Sequence, residues 1–382
     1  MKIAIIADSH FDERSRFDEC IRMHDFIAKD AARRGCTKWL HSGDVFHRKS
    51  TADERKAAIE WTLQMSILVG DGVIVRGNHD APLDLWPLGR LETAAVVEVV
   101  ESARVVEFSN LVVQCIPWPT RASLLGESLA ESEQEIGEAL RDVLRGLSRE
   151  RDGRPRVLLS HAMVRGSRTA TGQPLVGCDC EIGAEDFALC DSDFYALGHV
   201  HMGQGWTVGG KPVVYPGSPY RTTFGETEVK GYVVVEFNEE GRLVAWERVP
   251  TPCAKMLLLE AEWHPVSEDC TVPGLFIGAV GFNPAGAEVR LRYTVTEAHR
   301  EAAKAAAIAE RTLLLETGAA SVKLEEVVNV ETRARAPEVA TATSLSAKLT
   351  AHWDSQGTAA PGESDRPRLL TRLHELQAEV GL

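Results

Sequence analysis

The sequence is short of several things at once. Aromatic residues are 6% of its 382 residues, and 42 Lys and Arg face 56 Asp and Glu, for a formal net charge of −14. A diffuse basic coat for gripping nucleic acid is therefore missing, so any work on phosphates must find positive charge locally, in metal ions, a few arginines or a partner. No stretch approaches the roughly 18 apolar residues that span a bilayer, and no membrane partner is expected. The start, MKIAIIADSH, is apolar for only a few residues before Asp8. That is too short for a signal-peptide core and reads as a first β-strand. The eight cysteines contain no C-x-x-C pair. Cys178 and Cys180 form C-x-C, but no second pair follows at zinc-site spacing. All are expected as reduced thiols in a cytoplasmic protein. With 31 Gly and 17 Pro the chain is neither collagen-like nor low-complexity.

What is present is an ordinary globular mix, 44% hydrophobic and 26% charged, in a chain long enough for two or three domains. Residues 1–250 alternate short apolar runs with amphipathic stretches. Strands are predicted at 2–7, 38–41, 72–75, 111–116, 157–160, 194–197 and 213–215. Helices are predicted at 17–34, at 51–66 opened by Ser50 or Thr51, and at 131–150. Residues 231–238 and 243–249 read as a hairpin around Glu239-Glu240-Gly241. The alternation implies an α/β layered domain. After Pro250 the pattern changes to a small α+β domain over 251–332, with strands at 255–263, 288–294 and 321–329 and a helix at 297–316. Residues 333–343 are rich in Ala, Thr and Pro and read as a linker. Two helices are expected in 344–382. Leu345, Leu349 and Trp353 recur in the first, and Leu369, Leu370, Leu373, Leu376 and Val380 make a stripe on the second. Such a stripe docks back on its own domain or on a partner.

Metal-type ligands concentrate in five short segments: Asp8-Ser9-His10, Gly43-Asp44, Gly77-Asn78-His79-Asp80, His161, and Gly198-His199-Val200-His201. Each falls at or just past the C-terminal end of a predicted strand, the edge where layered α/β sheets build their sites. Asp8 and His10 can project from one strand end toward one ion, and His199 and His201 repeat that spacing. The Asp44 carboxylate can bridge two ions, and Asn78 adds a neutral oxygen. A set of this kind suits two ions roughly 3.5–4 Å apart, the spacing that supports in-line phosphoryl displacement. Mixed imidazole and carboxylate favours Mn, Fe or Zn over Mg or Ca. His24, His264, His299, His352 and His374 stand outside these segments and read as surface or packing residues. His41 reads as core or as a support for the site.

The ordered series D-x-H, GD, GNHD, H and G-H-x-H resembles the calcineurin-like metallophosphoesterases, from Asp8 to His201. Within them, Gly43-Asp44-Val45-Phe46-His47, Tyr215-Pro216-Gly217-Ser218-Pro219 and Phe224-Gly225-Glu226 resemble the SbcD-type double-strand-break repair exonucleases, with Thr223 where that family usually has Ser. The resemblance implies an α/β fold, a layered metallophosphoesterase β-sandwich flanked by helices, plus the small α+β capping domain and C-terminal helices. It implies a metal-dependent DNA nuclease subunit, cutting duplex ends as an exonuclease and single strands as an endonuclease by two-metal hydroxide attack on a phosphodiester. Two divalent ions, Mn foremost, would be held by Asp8, His10, Asp44 and His201 on one side and by Asp44, Asn78, His161 and His199 on the other.

By the same resemblance His79 faces the leaving oxygen, and His47 helps place the phosphodiester; a solvated loop histidine is the bland alternative for His47. Asp80 either orients His79 or caps the turn. Arg14, Arg16, Arg48, Lys49, Arg165 and Arg221 lie near the motifs in sequence and are candidate DNA-backbone contacts or ordinary surface. Trp86, Trp118 and Trp206 read as core or rim packing. The implied partners are DNA, an SbcC-type SMC-like ATPase bound through the C-terminal helices, and a second copy in a homodimer formed by helices at 51–66 and 84–101. Two other readings stand beside this one: a metallophosphoesterase acting on nucleotides, cyclic nucleotides or phosphoproteins, and a non-catalytic DNA-end scaffold.

Overall fold

The computed structural model describes residues 1–93, 95–120, 123–124, 133–168, 181–264, 274–277, 283–329, 339, 341–356 and 360–380. Most of the expected linker and residues Cys178, Cys180 and Cys270 lie outside them. In chain order the strands are β1 (Lys2–Ile6), β2 (Cys36–His41), β3 (Asp71–Val75), β4 (Val97–Val100), β5 (Arg104–Phe108), β6 (Leu111–Ile116), β7 (Arg156–His161), β8 (Met163–Val164) and β9 (Glu181–Ile182). They continue with β10 (Phe194–Gly198), β11 (Gln204–Val208), β12 (Lys211–Tyr215), β13 (Gly231–Phe237), β14 (Leu243–Pro250), β15 (Lys255–His264), β16 (Gly274–Ile277), β17 (Ala287–Thr296) and β18 (Ser321–Asn329). The α-helices are α1 (Phe17–Arg33), α2 (Ala52–Leu68), α3 (Glu133–Leu147), α4 (Arg300–Glu316), α5 (Leu345–Gln356) and α6 (Arg366–Val380).

Two six-stranded sheets, β14-β13-β1-β2-β3-β4 and β11-β12-β10-β7-β6-β5, carry the first two thirds of the chain. Strands β1 to β4 run parallel to one another, as do β6, β7, β10 and β12. The alternation of side chains along each strand decides the layers. On β1, Ile3 and Ile5 join Val73, Val113, Leu159, Ala196 and Val233 in one core between the sheets. Ala4 and Ile6 point the other way, into a core with Ile27, Ala28, Trp61 and Met65 of α1 and α2. On the second sheet Leu158, Tyr195 and Leu197 turn outward against Leu140, Leu144 and Leu147 of α3. Both faces of each sheet are covered, which is why the strands read as nearly continuous apolar runs. The result is the α/β layered sandwich flanked by helices that the sequence implies.

Helix α2 starts at a capping box: Thr51 Oγ1 accepts the Glu54 N–H at 3.3 Å and the Glu54 carboxylate accepts the Thr51 N–H at 2.9 Å. The helix expected at 84–101 is a correction. The described part of that segment is a turn, a 3-10 turn at Leu88–Arg90, and the edge strand β4, whose Val97 to Val100 pair with Gly72 to Val75. The run Val96-Val97-Glu98-Val99-Val100 is β-branched, and completing a sheet edge suits it better than a helix.

A further four-stranded sheet has the order β16-β15-β17-β18. The described chain divides into two compact units, one of Met1–Glu260, Ile277–Arg292 and Ile308–Glu325, the other of Ala261–Phe276, Tyr293–Ala307 and Glu326–Leu382. In the second, α5 and α6 are joined by Ser346 Oγ and His374 Nε2 at 3.0 Å and by an Arg366–Asp354 ion pair. Trp353 is buried beneath the Arg366 guanidinium, while Leu345, Leu369 and Leu376 remain exposed. No helix among the described residues is long and apolar enough to cross a membrane.

Candidate metal centre

The parallel strands deliver their C-terminal ends to one edge. Asp8 and His10 follow β1, Asp44 follows β2, Asn78 to Asp80 follow β3, His161 ends β7, and His199 and His201 follow β10. The chain must turn sharply there, and Asp8, His10, Asp44 and His199 adopt positive φ of 53°, 45°, 57° and 108°. Non-glycine residues rarely hold such angles, and where they do the surroundings impose it. Here the loops hold one another: Asp8 N donates to Gly43 O at 3.1 Å and His10 N to Asp44 O at 3.0 Å. One oxygen of each carboxylate is fixed by a backbone amide. Asp8 Oδ1 accepts from His199 N at 2.8 Å, and Asp44 Oδ1 accepts from His79 N at 2.9 Å.

Two motif glycines are steric requirements. Gly43 has φ 92°, and a Cβ there would lie 2.5 Å from His161 Nδ1. A Cβ on Gly77 would run into Asp44 Oδ1 and the Asp44 amide nitrogen.

The ring nitrogens show what the second oxygens face. His161 Nδ1–H donates to Ser42 O at 2.7 Å, so its Nε2 lone pair is free. That lone pair lies 2.8 Å from Asn78 Oδ1 and 3.4 Å from Asp44 Oδ2. His199 Nδ1 sits 3.1 Å from the same Asn78 oxygen. His10 Nε2 and His201 Nε2 are 2.9 Å apart, with Asp44 Oδ2 3.7 Å from His10 Nε2. Asp8 Oδ2 is buried without a hydrogen-bond partner. Electron-pair donors converging this closely need protons or cations among them. The ligand atoms of Asp8, His10 and His201 lie within 4.8 Å of one another, as do those of Asp8, Asp44 and His161. These residues fit two divalent ions, and Asp8 reaches both groups, where the sequence assigned it to one.

The charges of the metal-free chain agree. Burial disfavours the His161 imidazolium, but the Asp44 and Asp8 carboxylates outweigh it and raise the ring to about 9. Burial, with His201 nearby, pushes His10 down, and burial, with His161 nearby, takes His199 down to about 3. Behind His201 stands Glu226, Oε1 3.6 Å from Nδ1, itself paired with the fully buried Lys230. Burial alone would raise the Glu226 carboxyl; His201 and Lys230 hold it well below the usual range. A carboxylate behind a ligating imidazole fixes its tautomer and orientation. Glu226 and Lys230 were not given this role from sequence, because nothing local links residue 226 to residue 201.

His79 and His47 lie on the exposed side, their rings stacked at 5.1 Å and 14°, and their ligand atoms come within 4.8 Å of one another and of His10 in a third close group. The His10 ring is within 5.2 Å of both. His79 Nδ1–H donates to His47 O at 2.7 Å, leaving Nε2 free. Asp80 therefore does not orient His79. It is the cap: Oδ2 accepts from Asp44 N at 3.0 Å and Gly77 N at 2.8 Å, and Oδ1 from Phe46 N at 2.9 Å. Burial and the Asp44 charge raise this carboxyl to about 7. Asp80→Ala should cost about 3 kcal/mol, since three buried amides lose a charged acceptor. Asp80→Asn should recover only part of it, because its NH2 would face an N–H. Urea unfolding checks this; a loss of turnover with unchanged stability would instead restore the orienting role.

Two of the expected DNA contacts are also corrected. Arg221 is held internally by Glu226 O, Glu228 O, Ala254 O and Cys253 Sγ, and Arg16 pairs with Glu19 and Glu288. Arg221 fixes the chain's own segments around 226–228 and 253–254, and Arg16 ties to α1 and β17. Arg48 pairs with Asp12, whereas Arg14, Lys49 and Arg165 are exposed. Of the tryptophans, Trp118 packs 4.7 Å from the His199 ring, Trp206 packs on Tyr215, and Trp86 is half exposed.

The family model of the calcineurin-like phosphoesterase superfamily domain matches residues 1–240. The chain belongs to this superfamily. Its fold binds two divalent metals, and its members hydrolyse phosphoester bonds. This phosphoesterase is also similar to solved structures. One is the protein TT1561 of Thermus thermophilus, at 12% identity and TM-score 0.39, covering 60% of this chain and 92% of that one. Another is a dimetal phosphatase from Danio rerio, at 13% identity and TM-score 0.40, covering 63% and 93%. A third is GAP50, the anchor in the inner membrane complex of Plasmodium, at 11% identity and TM-score 0.40, covering 66% and 89%. A search of curated proteins finds no match to the phosphoesterase.

Proposed function

We propose that the chain is the nuclease subunit of a DNA-end-processing assembly, hydrolysing phosphodiester bonds in duplex ends and single strands. The observation that carries this reading is the exposed His47–His79 stack beside the metal ligands. A phosphodiester inside a polymer has substituents on both sides, and it must approach an open rim that positions it beyond the ions. Residues 43–47, 215–219 and 224–226, which resemble the SbcD-type nucleases, line or brace this same edge.

Two divalent ions, Mn foremost for this donor set, would supply Lewis acidity, charge neutralisation and an activated water. Asp8, His10, Asp44 and His201 would hold one, and Asp44, Asn78, His161 and His199 the other. The chain's own groups do the rest. Glu226 keeps His201 aimed, His79 Nε2 meets the leaving oxygen, and His47 braces His79 by stacking and through its carbonyl. Arg14, Lys49 and Arg165 remain the exposed cations for strand backbone.

The exposed Leu345, Leu369 and Leu376 of α5 and α6 suit a groove on the coiled coil of an SMC-like ATPase. Ile67 and Leu68 of α2, with Leu83 and Trp86, are exposed apolar residues suited to a second copy in a homodimer. The place of work is the cytoplasm, where the described thiols of Cys20, Cys36, Cys115, Cys190 and Cys253 stay free.

Cleavage of end-labelled duplex and single-stranded DNA with Mn, Mg or EDTA tests this. Mn-dependent cutting is expected, abolished by Asp8→Ala and reduced about 10²- to 10⁴-fold by His79→Ala. Hydrolysis of bis(p-nitrophenyl) phosphate without any DNA cutting, with the ATPase present, would move the chain to the nucleotide-directed phosphoesterases.

A further inference from the structure

Behind the metal ligands lies a buried polar chain that metal binding does not itself require. Ser9 sits between the ligands Asp8 and His10 and is fully buried. Its Oγ is 2.6 Å from His24 Nε2 and 2.7 Å from His41 Nε2. The direction of every bond follows from one fixed end. His24 Nδ1 lies 2.7 Å from Cys20 O, and a carbonyl only accepts, so that nitrogen carries the proton. His24 Nε2 is then an acceptor, and Ser9 O–H must donate to it. Ser9 has one proton, so His41 Nε2–H donates to Ser9 Oγ. His41 Nδ1 is thereby an acceptor, and it takes the Gly43 N–H at 3.2 Å. From the same face of α1, Cys20 Sγ donates to Ser9 O at 3.5 Å. The His24 ring is boxed by Phe11 at 4.6 Å and Trp61 at 5.0 Å.

We infer that Ser9, His24 and His41 are positioning residues, a one-way hydrogen-bond chain that locks the Asp8–His10 turn and the Gly43–Asp44 turn in the left-handed conformations needed to present their ligands. The chain links the two segments at their strained points. Ser9 is flanked by Asp8 and His10, both at positive φ, and Gly43 precedes Asp44, with both at positive φ. His24 reaches this place from the middle of α1. Its imidazole is thus a prop on the ligand turns, where its sequence context suggests only a packing residue. The inference rests on the two-metal centre and not on DNA as substrate, so its test uses a small ester.

The experiment compares full-length parent, Ser9→Ala, His24→Leu and His24→Gln. Free Mn²⁺ is counted by electron paramagnetic resonance during titration of the metal-free chain, and bis(p-nitrophenyl) phosphate hydrolysis and thermal unfolding are followed in parallel. Ser9→Ala and His24→Leu should weaken Mn²⁺ binding about tenfold or more, the range seen when supports of metal ligands are removed. kcat should fall with KM little changed. In His24→Gln the amide oxygen can replace Nε2 as the acceptor of Ser9 O–H, so binding and kcat should return to within about threefold of the parent. Parental Mn²⁺ affinity in both Ser9→Ala and His24→Leu, whatever their melting temperatures, overturns the inference. So does a His24→Gln chain as impaired as His24→Leu, since Gln restores the acceptor for Ser9 O–H that Leu lacks.

Discussion

Asp44→Asn should leave a folded chain that hydrolyses bis(p-nitrophenyl) phosphate at least about a thousandfold more slowly. Asn keeps the shape and can still accept the His79 N–H at the Oδ1 position, so the turn survives. What goes is the charge of Oδ2, which lies 3.4 Å from His161 Nε2 and 3.7 Å from His10 Nε2, between the two ligand groups. Asp8 Oδ2 also reaches both groups, but its single carboxylate cannot make up for the loss of the Asp44 charge. A thousandfold is about 4 kcal/mol of transition-state stabilisation, a reasonable loss for the anion shared by two divalent ions. Metal content by atomic emission should fall in step. Activity within tenfold of the parent would mean that Asp44 shapes the turn and does not hold metal.

Gly77→Ala is the smallest change with a comparably large expected effect. Gly77 has an ordinary φ, so no strain argument applies; the effect is steric alone. The new methyl would overlap Asp44 Oδ1 and the Asp44 amide nitrogen, backbone and ligand together. Neither can withdraw cheaply, because Asp44 N is held by Asp80 and Asp44 Oδ1 by His79 N. Mn²⁺ affinity should drop by about two orders of magnitude, with a melting temperature lower by several degrees. A Gly77→Ala protein with parental metal affinity would show that the loop after β3 yields freely, contrary to the bonds that tie it down.

Much of the molecule was legible because its signals are local. Strand β1 and helix α2 were placed within a residue or two by an apolar run and by a cap at Ser50 or Thr51, and the ligand segments announced themselves at strand ends. Where the outcome depended on distant partners, the sequence misled or was silent. Residues 97–100 looked helical by their Ala and Leu neighbourhood, whereas their own valines and the open edge of β3 make them a strand. Arg221 looked like a phosphate contact because it follows a motif, whereas carbonyls at 226, 228 and 254 take its protons. His24 and Glu226 had no motif spacing to either ligand turn, and their roles rest on contacts across 15 and 25 residues. The left-handed angles at Asp8, His10, Asp44 and His199 were not read from the sequence, since Asp and His are common in other conformations too.

Those angles bear on any effort to redesign the centre for another metal. Asp, Asn and His are several-fold enriched among non-glycine residues at positive φ, so at 8, 10, 44 and 199 the backbone and the coordination chemistry accept the same short list. Introducing Glu, Cys or a β-branched residue there would fight the main chain before the ion was ever tested. Asn78, His161 and His201 have no such constraint. A library that varies these three and freezes the other four would search donor chemistry on a scaffold that still folds.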